Sequence, residues 1–416
     1  MKKLSFLFVF ACTLLACSND DDTIDSCNKA TSILAENITT TSTTITWIDS
    51  NNATSYFVEY GVSGFLLGSG TTLIESDTTA DLQNLSPETT YDVYIQVVCS
   101  TDNLSMNSDV YSFTTATLPV IPEFRPNLSE LNLFSGDLGD LQLTPYAFEY
   151  DLSTVLFTDY AHKQRLIALP EGEKMTYNGD GFPLFPDNSV IAKTFYYNND
   201  ETDLSQGINI IETRVLIKIN GSWELGNYKW NESQTDATLD IDGAVVPVTW
   251  VNTEGESQNI DYEIPSSTDC FTCHSNATEA VPIGPKLRTL NFDVNGFNQL
   301  QSLIDNEMLE GLTDPTTVSV LPNWEDTSLG LERRARAYLD VNCAHCHIEG
   351  GFCELQSGLR LSYETPFGES NISESSNSIL ARIQNTIPEY GMPLIGTTIL
   401  HDEGVSLLVE YINSLE

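Results

Sequence analysis

Two short strings in the C-terminal half of the chain combine a pair of cysteines with an adjacent histidine. They are Cys270-Phe271-Thr272-Cys273-His274 and Cys343-Ala344-His345-Cys346-His347, and each fits the pattern C-x-x-C-H. Cysteines at this spacing can form thioethers to the two vinyl groups of one porphyrin, and the histidine that follows can bind its iron. The spacing therefore predicts two covalently attached c-type haems with His274 and His347 as proximal ligands. His345, between the second pair of cysteines, is expected to face solvent.

The same residue types are also found in zinc sites and in redox-active dithiols. Structural zinc modules usually draw their cysteine pairs from nearby in the sequence, whereas Cys273 and Cys343 are far apart along the chain. A thioredoxin-like pair would need a βαβ context, which the surrounding sequence lacks. Haem attachment is therefore the favoured interpretation.

The second string has the surroundings of a complete haem pocket. Leu331 to Val341 has helical spacing of apolar residues and leads directly into the string, and Asp402 to Leu415 predicts an amphipathic C-terminal helix. Between these helices, Tyr390-Gly391-Met392-Pro393 resembles the distal methionine loop of class I cytochromes c. The resemblance implies that His347 and Met392 bind one iron from opposite sides. Packing in a core is the alternative role for Met392.

The first string is preceded by an extended segment rather than a helix. Downstream of it, Ile283-Gly284-Pro285-Lys286-Leu287 resembles the Gly-Pro-x-Leu loop of class I cytochromes c, which implies support for His274. Its distal partner is not evident, because the helical spacing around Met308 suits core packing better than ligation. The other options are His401, His162, Lys286 and an open site with water.

The N-terminus predicts export and lipidation. Lys2 and Lys3 precede an apolar segment, Leu4 to Leu15, that is too short to span a bilayer. Leu14-Leu15-Ala16-Cys17 resembles the lipobox of bacterial lipoproteins, which implies a signal peptide at 1–16, lipid on Cys17 and an acidic tether at 17–26. Ordinary secretion with cleavage nearby is the alternative. Similar tethers occur in lipoproteins of Gram-negative bacteria, so we expect an outer-membrane location, on the periplasmic face or the cell surface.

The charge is strongly negative. The 416 residues include 18 Lys and Arg against 59 Asp and Glu, a formal net charge of −41. Nucleic acid is excluded as a general partner, because its binding needs a basic surface. The charge predicts attraction to basic partners, and solubility in a salty environment is the simpler explanation for it. Redox proteins and, through the lipid anchor, a membrane are the expected partners.

Residues 27–116 show alternating apolar and polar positions with frequent turn signals, which predicts short half-buried strands. The segment Leu85-Ser86-Pro87-Glu88-Thr89-Thr90-Tyr91 and the position of Trp47 resemble those of fibronectin type III domains. The resemblance implies a β-sandwich that acts as a spacer or as an adhesive unit, and a spacer is the favoured interpretation. Cys27 and Cys99 bracket this region and are a plausible disulfide in an exported protein. Cys353 is left over and is expected to be a buried thiol rather than a ligand.

The rest of the chain divides into three parts. A proline-rich linker at 117–126 precedes a β-rich domain at 127–265, expected to be a sandwich or partial barrel, and a diheme cytochrome c-like domain at 266–416, expected to be mainly α. Three runs in the β-rich part predict strands: Ser189–Tyr197, Glu212–Ile219 and Asp240–Val248. Asn298 to Leu309 predicts a helix. The predicted fold class is multidomain: an all-β fibronectin type III-like sandwich, a second β-rich sandwich-like domain and a mainly α C-terminal domain.

From about residue 145 onward the chain resembles a family of exported diheme c-type cytochromes. The segments that carry this resemblance are Pro145-Tyr146, Leu156 to Ala161, Trp230 to Glu232, Thr235 to Ala237, Pro282 to Lys286 and Ala337 to His347. The resemblance implies two haem c groups and single-electron transfer. Relatives lie near, or are fused to, quinoprotein sugar dehydrogenases, which suggests that the protein accepts electrons from a dehydrogenase or another cytochrome. A diheme peroxidase-like enzyme, with an open iron above His274, is the alternative.

Overall fold

The computed structural model describes residues 26–385 and 390–415. The predicted signal peptide, the lipidation site Cys17 and all but the last residue of the predicted tether lie outside this range. The chain separates into two compact units, Met1–Leu118 and Pro119–Glu416. Within the described ranges, no helix is both long enough and apolar enough to cross a membrane.

The N-terminal unit is built from eight strands in two sheets. They are β1 Thr31–Glu36, β2 Thr43–Ile48, β3 Tyr56–Val62, β4 Thr71–Glu75, β5 Thr79–Leu82, β6 Thr90–Ser100, β7 Asn103–Leu104 and β8 Tyr111–Thr114. One sheet has the order β1-β2-β5, and the other has the order β4-β3-β6-β7 with β8 paired to β6. Alternate residues of β2 and β3 are buried, as the period of two requires, and they form a core around Trp47 and Ile95. The predicted disulfide is confirmed, since Cys27 and Cys99 are bonded.

The second unit contains the remaining strands and all six described α-helices. Its longer strands are β9 Ala147–Glu149, β10 His162–Ala168, β12 Val190–Asn198, β13 Ile208–Ile219, β14 Ser222–Trp230, β15 Ala237–Asp240, β16 Ala244–Val251 and β17 Ser257–Ile264. Two-residue strands are β11 Met175–Thr176, β18 Ser275–Asn276, β19 Glu279–Ala280, β20 Asp293–Val294, β21 Phe297–Asn298 and β22 Leu309–Glu310. The helices are α1 Ser267–His274, α2 Leu287–Leu290, α3 Gln299–Asp305, α4 Leu331–Asn342, α5 Ser376–Ile383 and α6 Asp402–Asn413.

A six-stranded sheet in the order β15-β14-β13-β12-β10-β9 is the centre of this unit. Its central strand β12 is buried along almost its whole length, because both faces of the sheet are covered. One face packs on Leu128 and Leu131. The other face packs on Leu287 and Leu300, which follow the first C-x-x-C-H string. The sheet and the segment after the first string therefore share one hydrophobic core within Pro119–Glu416, a stretch that the sequence predicts as two domains.

Four of the six elements that the sequence predicts in the second unit lie at their predicted positions. The strand predictions at 189–197 and 212–219 match β12 and β13, and the third predicted strand begins at Ala244 rather than Asp240, because Gly243 has a left-handed φ of 79°. The predicted helices at 331–341 and 402–415 match α4 and α6, which share a core. The helix predicted to run from Asn298 to Leu309 stops at Asp305.

Candidate functional site

The two C-x-x-C-H strings lie side by side in the folded chain. Cys273 Sγ, Cys346 Sγ and a ring nitrogen of His345 all lie within 4.8 Å of one another. A backbone hydrogen bond of 2.6 Å from Ala277 N to the carbonyl of Gly350 joins the segments that follow the two strings. The expectation that His345 faces solvent is wrong: the residue is half-buried, and its Nδ1 is buried without a hydrogen-bond partner.

The first string is folded as helix α1, which the sequence analysis did not predict. Ser266 and Asp269 form a capping box at its start: Asp269 N donates to Ser266 Oγ at 3.3 Å, and Ser266 N donates to Asp269 Oδ2 at 3.1 Å. This capping box sets the start of the helix, directly after an extended strand. Cys270, Cys273 and His274 consequently follow one another along a single helical segment that packs on β14.

His274 is held in a defined orientation. Its Nδ1 lies 2.8 Å from the carbonyl oxygen of Val281, and Val281 N donates back to the His274 carbonyl at 2.6 Å. Burial, with the nearby charge of Lys193, lowers the pKa of His274 to about 3 and keeps the imidazole neutral. With Nδ1 engaged, Nε2 is the nitrogen left for a metal. The acceptor is Val281, two residues before the loop Ile283–Leu287 that the sequence suggested as support.

A cavity of about 210 Å³ lies beside the second string, and we call it the second cavity. Its wall combines residues of both strings and of the segment after residue 390: Cys273, Cys343, Cys346, His347, Met392, Leu394 and His401. Burial lowers the pKa of His347, and its Nδ1 is buried without a hydrogen-bond partner. The structure thus brings His347 and Met392 to one cavity, as the sequence predicts for an axial pair.

His401 lies on the wall of this second cavity, whereas the sequence suggests it as a possible ligand of the first haem. Tyr338 on α4 lies with its hydroxyl 2.9 Å from His401 Nδ1, and the ring of Phe157 stacks on the imidazole at a centroid distance of 4.1 Å. Met392 is placed by its backbone N–H, which donates to the Arg382 carbonyl at 3.1 Å. The cavity therefore has two side chains that could face His347 across a bound group.

Residues 156 to 161, which the sequence analysis identified only by family resemblance, hold this wall in place. The Asp159 carboxylate accepts hydrogen bonds from Thr398 N at 2.9 Å and from Ile399 N at 3.2 Å. Burial raises the pKa of Asp159, although these bonds act in the opposite direction. Phe157 N donates to Asn342 Oδ1 at 2.8 Å, which connects the same segment to the end of α4. The β-rich region thus positions the loop that carries His401.

The other distal candidates for the first string have different partners. Met308 packs in the core with Leu303. His162 Nε2 lies 2.7 Å from Glu201 Oε1, and its ring stacks on Tyr196. Lys286 forms an ion pair with Asp340 at 3.5 Å and borders a smaller cavity of about 80 Å³ beside Val281.

The residues present fit covalently bound haem. Cys270, Cys273, Cys343 and Cys346 are all free thiols, the two histidines that follow them are held neutral by burial, and the larger cavity is lined mostly by apolar side chains. Burial raises the pKa of Cys343 to about 12, whereas the hydrogen bond from Cys346 lowers the pKa of Cys273 to about 5. Cys273, His345 and Cys346 could also hold a small metal ion in place of haem.

Comparison with known proteins identifies the N-terminal unit. The fibronectin type III domain family matches residues 28–114. This region is a fibronectin type III domain. The hydrogen bond of 2.9 Å from Ser86 N to the hydroxyl of Tyr91, just inside β6, fits the tyrosine corner of such sandwiches.

Several solved structures are similar to a part of the chain. A fibronectin type III domain of human contactin 1 is 18% identical and covers 24% of this chain and 92% of that chain, with a TM-score of 0.19. The FN5 domain of Drosophila Lar is 16% identical and covers 21% of this chain and 96% of that chain, with a TM-score of 0.19. A structure from the computer-based redesign of a β-sandwich protein is 27% identical and covers 22% of this chain and 97% of that chain, with a TM-score of 0.20. No curated protein matches the chain.

Proposed function

We propose that the protein is a diheme c-type cytochrome that carries single electrons outside the cytoplasm. The observation that carries this proposal is the adjacency of the two C-x-x-C-H strings, whose thiols Cys273 and Cys346 lie within 4.8 Å of each other. Each of these cysteines would be bonded to the edge of a different porphyrin. Two redox groups attached at neighbouring points suit electron exchange between them, because electron transfer slows steeply with distance.

The chain's own residues have distinct roles in this proposal. Cys270 and Cys273 would hold one haem, and Cys343 and Cys346 the other. His274 is oriented by the Val281 carbonyl so that its Nε2 can bind iron, and His347 would bind the second iron with Met392 opposite. Haem iron supplies reversible one-electron chemistry, and a neutral thioether ligand favours its reduced form.

The wall of the second cavity suits an electron-transferring haem, which both the carrier and the peroxidase-like enzyme would contain. Met392 and His401 both border it, which suits a closed, six-coordinate iron rather than an open one. The diheme peroxidase-like alternative requires an open iron above His274. Met308 and His162 have other partners, so neither is placed to close that site. The same proposal includes a mainly α, cytochrome c-like domain at residues 266–416. The packing of α4 on α6 beside the second string supports it.

The proposed setting follows from the N-terminal sequence and the charge. A lipid on Cys17 would anchor the protein to the outer membrane of a Gram-negative bacterium. The net charge of −41 would attract basic redox proteins at low salt. A quinoprotein dehydrogenase or another cytochrome would be the electron donor.

The first experiment counts haems. We expect the full chain, produced in a host that matures c-type cytochromes, to carry the mass of two haems. The double variants Cys270→Ala with Cys273→Ala, and Cys343→Ala with Cys346→Ala, should each lose one haem and keep the other. Cys353→Ala is the matched control and should keep both. Mature chain without added porphyrin mass would refute the proposal.

The same samples distinguish the alternatives. Magnetic circular dichroism should show two low-spin irons and no binding of cyanide, whereas a high-spin iron together with peroxide consumption would favour the peroxidase-like enzyme. A small metal ion at Cys273, His345 and Cys346 is a second candidate, favoured by the short distances among these three side chains. This second candidate predicts that the protein binds one equivalent of zinc per chain and no haem, and that His345→Ala loses the metal.

A further inference from the structure

Three cations and an amide form one row across the central sheet. Arg165 on β10 lies directly opposite Lys193 on β12, Lys193 lies opposite Arg214 on β13, and Arg214 lies opposite Asn227 on β14. Directly opposite residues in antiparallel strands point to the same face of a sheet. The four side chains therefore share one face, and Arg165, Lys193 and Asn227 are only 6%, 6% and 2% exposed.

This cation row is costly without a negatively charged partner. Like charges directly opposite each other destabilise a sheet, and buried charges need counter-charges. Glu212 pairs with Arg214 and also accepts a hydrogen bond of 2.6 Å from Tyr262. Asp151 lies 4.0 Å from Arg165 and is itself largely exposed. These two carboxylates leave the row with an excess of positive charge.

Two members of the row have no polar partner. The Lys193 ammonium makes neither a hydrogen bond nor an ion pair with any residue in 26–385 or 390–415. Both amide atoms of Asn227 are buried and without hydrogen bonds. Buried polar groups are normally satisfied, so an unpaired ammonium beside an unpaired amide indicates a ligand that completes them.

The row lies beside the first C-x-x-C-H string. Helix α1 packs on β14, which carries Asn227. The charges of Lys193 and Arg214 are close enough to lower the pKa of His274 and to act on Cys270. Burial, followed by the charges of Arg214 and Arg165, lowers the pKa of Lys193 to about 7. A neighbouring anion would restore it towards its usual value.

We propose that Arg165, Lys193, Arg214 and Asn227 form the binding site for the carboxylate groups of the haem attached at Cys270 and Cys273. This inference rests on the proposed function. The propionates of a haem supply negative charge that would offset the excess positive charge of the row, and their oxygens accept from ammonium, guanidinium and amide donors. The β-rich region would then form part of the first haem site and set the charge around it.

Lys193→Gln tests this site by equilibrium redox titration of the holoprotein. Oxidised haem iron carries one more positive charge than reduced iron, so removing a nearby cation favours the oxidised form. We expect one of the two one-electron steps to shift by about tenfold in the ratio of reduced to oxidised haem, which is about 59 mV towards lower potential. The potential of the other one-electron step should be unchanged, and Lys193→Arg should restore the original potential of the shifted step.

Lys218→Gln is the matched control. Lys218 is on the same face of β13, about 13 Å along the strand from Arg214, and its ammonium donates to the Phe185 carbonyl at 2.6 Å. Two haems by mass with the same potentials in Lys193→Gln and Lys218→Gln would overturn the inference and leave the proposed function intact. A changed spin state in Lys193→Gln that Lys193→Arg does not rescue would make Lys193 an iron ligand and also overturn it. Absence of haem from the unmutated protein would overturn both proposals.

Discussion

At the scale of single residues, the second cavity presents two possible ligands opposite His347. Met392 lies in a loop fixed by its own backbone hydrogen bond to Arg382, and its sulfur has no competing partner in the part of the chain that the structure describes. The imidazole of His401 is engaged, because Nδ1 lies within hydrogen-bond distance of the Tyr338 hydroxyl and the ring stacks on Phe157. Met392 is therefore the better ligand, and His401 is better suited to packing against the bound group.

Met392→Ala tests this choice. We expect the second haem iron to become high-spin and its reduction potential to fall, because the thioether that stabilises the reduced form is lost. Magnetic circular dichroism and redox titration measure the two effects. His401→Phe is the matched control: it keeps an aromatic ring against Phe157 and should leave both irons low-spin. A high-spin iron in His401→Phe, with Met392→Ala unchanged, would assign the ligand to His401 instead.

At the scale of elements, a buried charge network joins the region after the first string to the helix that leads into the second. Asp340 on α4 accepts a hydrogen bond of 2.6 Å from Arg288 on α2 and lies 3.5 Å from Lys286. The Asp340 carboxylate also accepts from Tyr363 N at 3.0 Å. Burial alone would disfavour its ionisation, but the two cations hold the pKa of Asp340 below its usual 3.8. The ionic contacts of Asp340 thereby connect the segment after the first string to the helix before the second string.

Asp340→Asn should lower the free energy of unfolding by about 3 kcal/mol at neutral pH, because it leaves the buried guanidinium of Arg288 with only the half-exposed carboxylate of Glu364 as a counter-charge. In the unmutated protein this contribution is complete above pH 3.8 and is lost as the pH falls through the lowered pKa of the folded state. Chemical denaturation at several pH values measures the stability lost in Asp340→Asn and the pH dependence of stability in the unmutated protein. Glu332→Gln, at an exposed position of the same helix, should change stability by less than about 0.5 kcal/mol. Equal effects of the two variants would contradict the role of Asp340.

The same elements show how far sequence reasoning reaches. Strands β12 and β13 and helices α4 and α6 follow from residue periodicity, because their buried faces repeat at the period of each structure. Helix α1 does not follow from residue periodicity, although Ser266 and Asp269 carry a capping-box signal. The meeting of Cys273 with Cys346 and the row from Arg165 to Asn227 are products of tertiary packing and strand register, which no local pattern encodes.

At the scale of the whole molecule, the two units have separate hydrophobic cores. The fibronectin type III domain packs around Trp47 and Ile95, whereas the cysteine–histidine strings belong to the second unit, whose cores include Leu216 and Leu408. No titratable cluster comparable to the Cys273 group lies within the described part of the domain. A spacer role between the predicted anchor and the second unit is consistent with this separation.

The disulfide Cys27–Cys99 gives a test of that independence. It closes a loop with a sequence separation of 72 residues, and replacing both cysteines by serine should lower the free energy of unfolding of the domain by about 4 kcal/mol through the larger entropy of its unfolded chain. Trp47 is 5% exposed, so denaturation followed by tryptophan fluorescence should gain an earlier transition. If the second unit carries haem as proposed, denaturation followed by haem absorbance, and both reduction potentials, should match the unmutated protein because that unit keeps its own core. An earlier loss of haem absorbance in the serine variant would show that the domain contributes to the stability of the second unit rather than serving as a spacer.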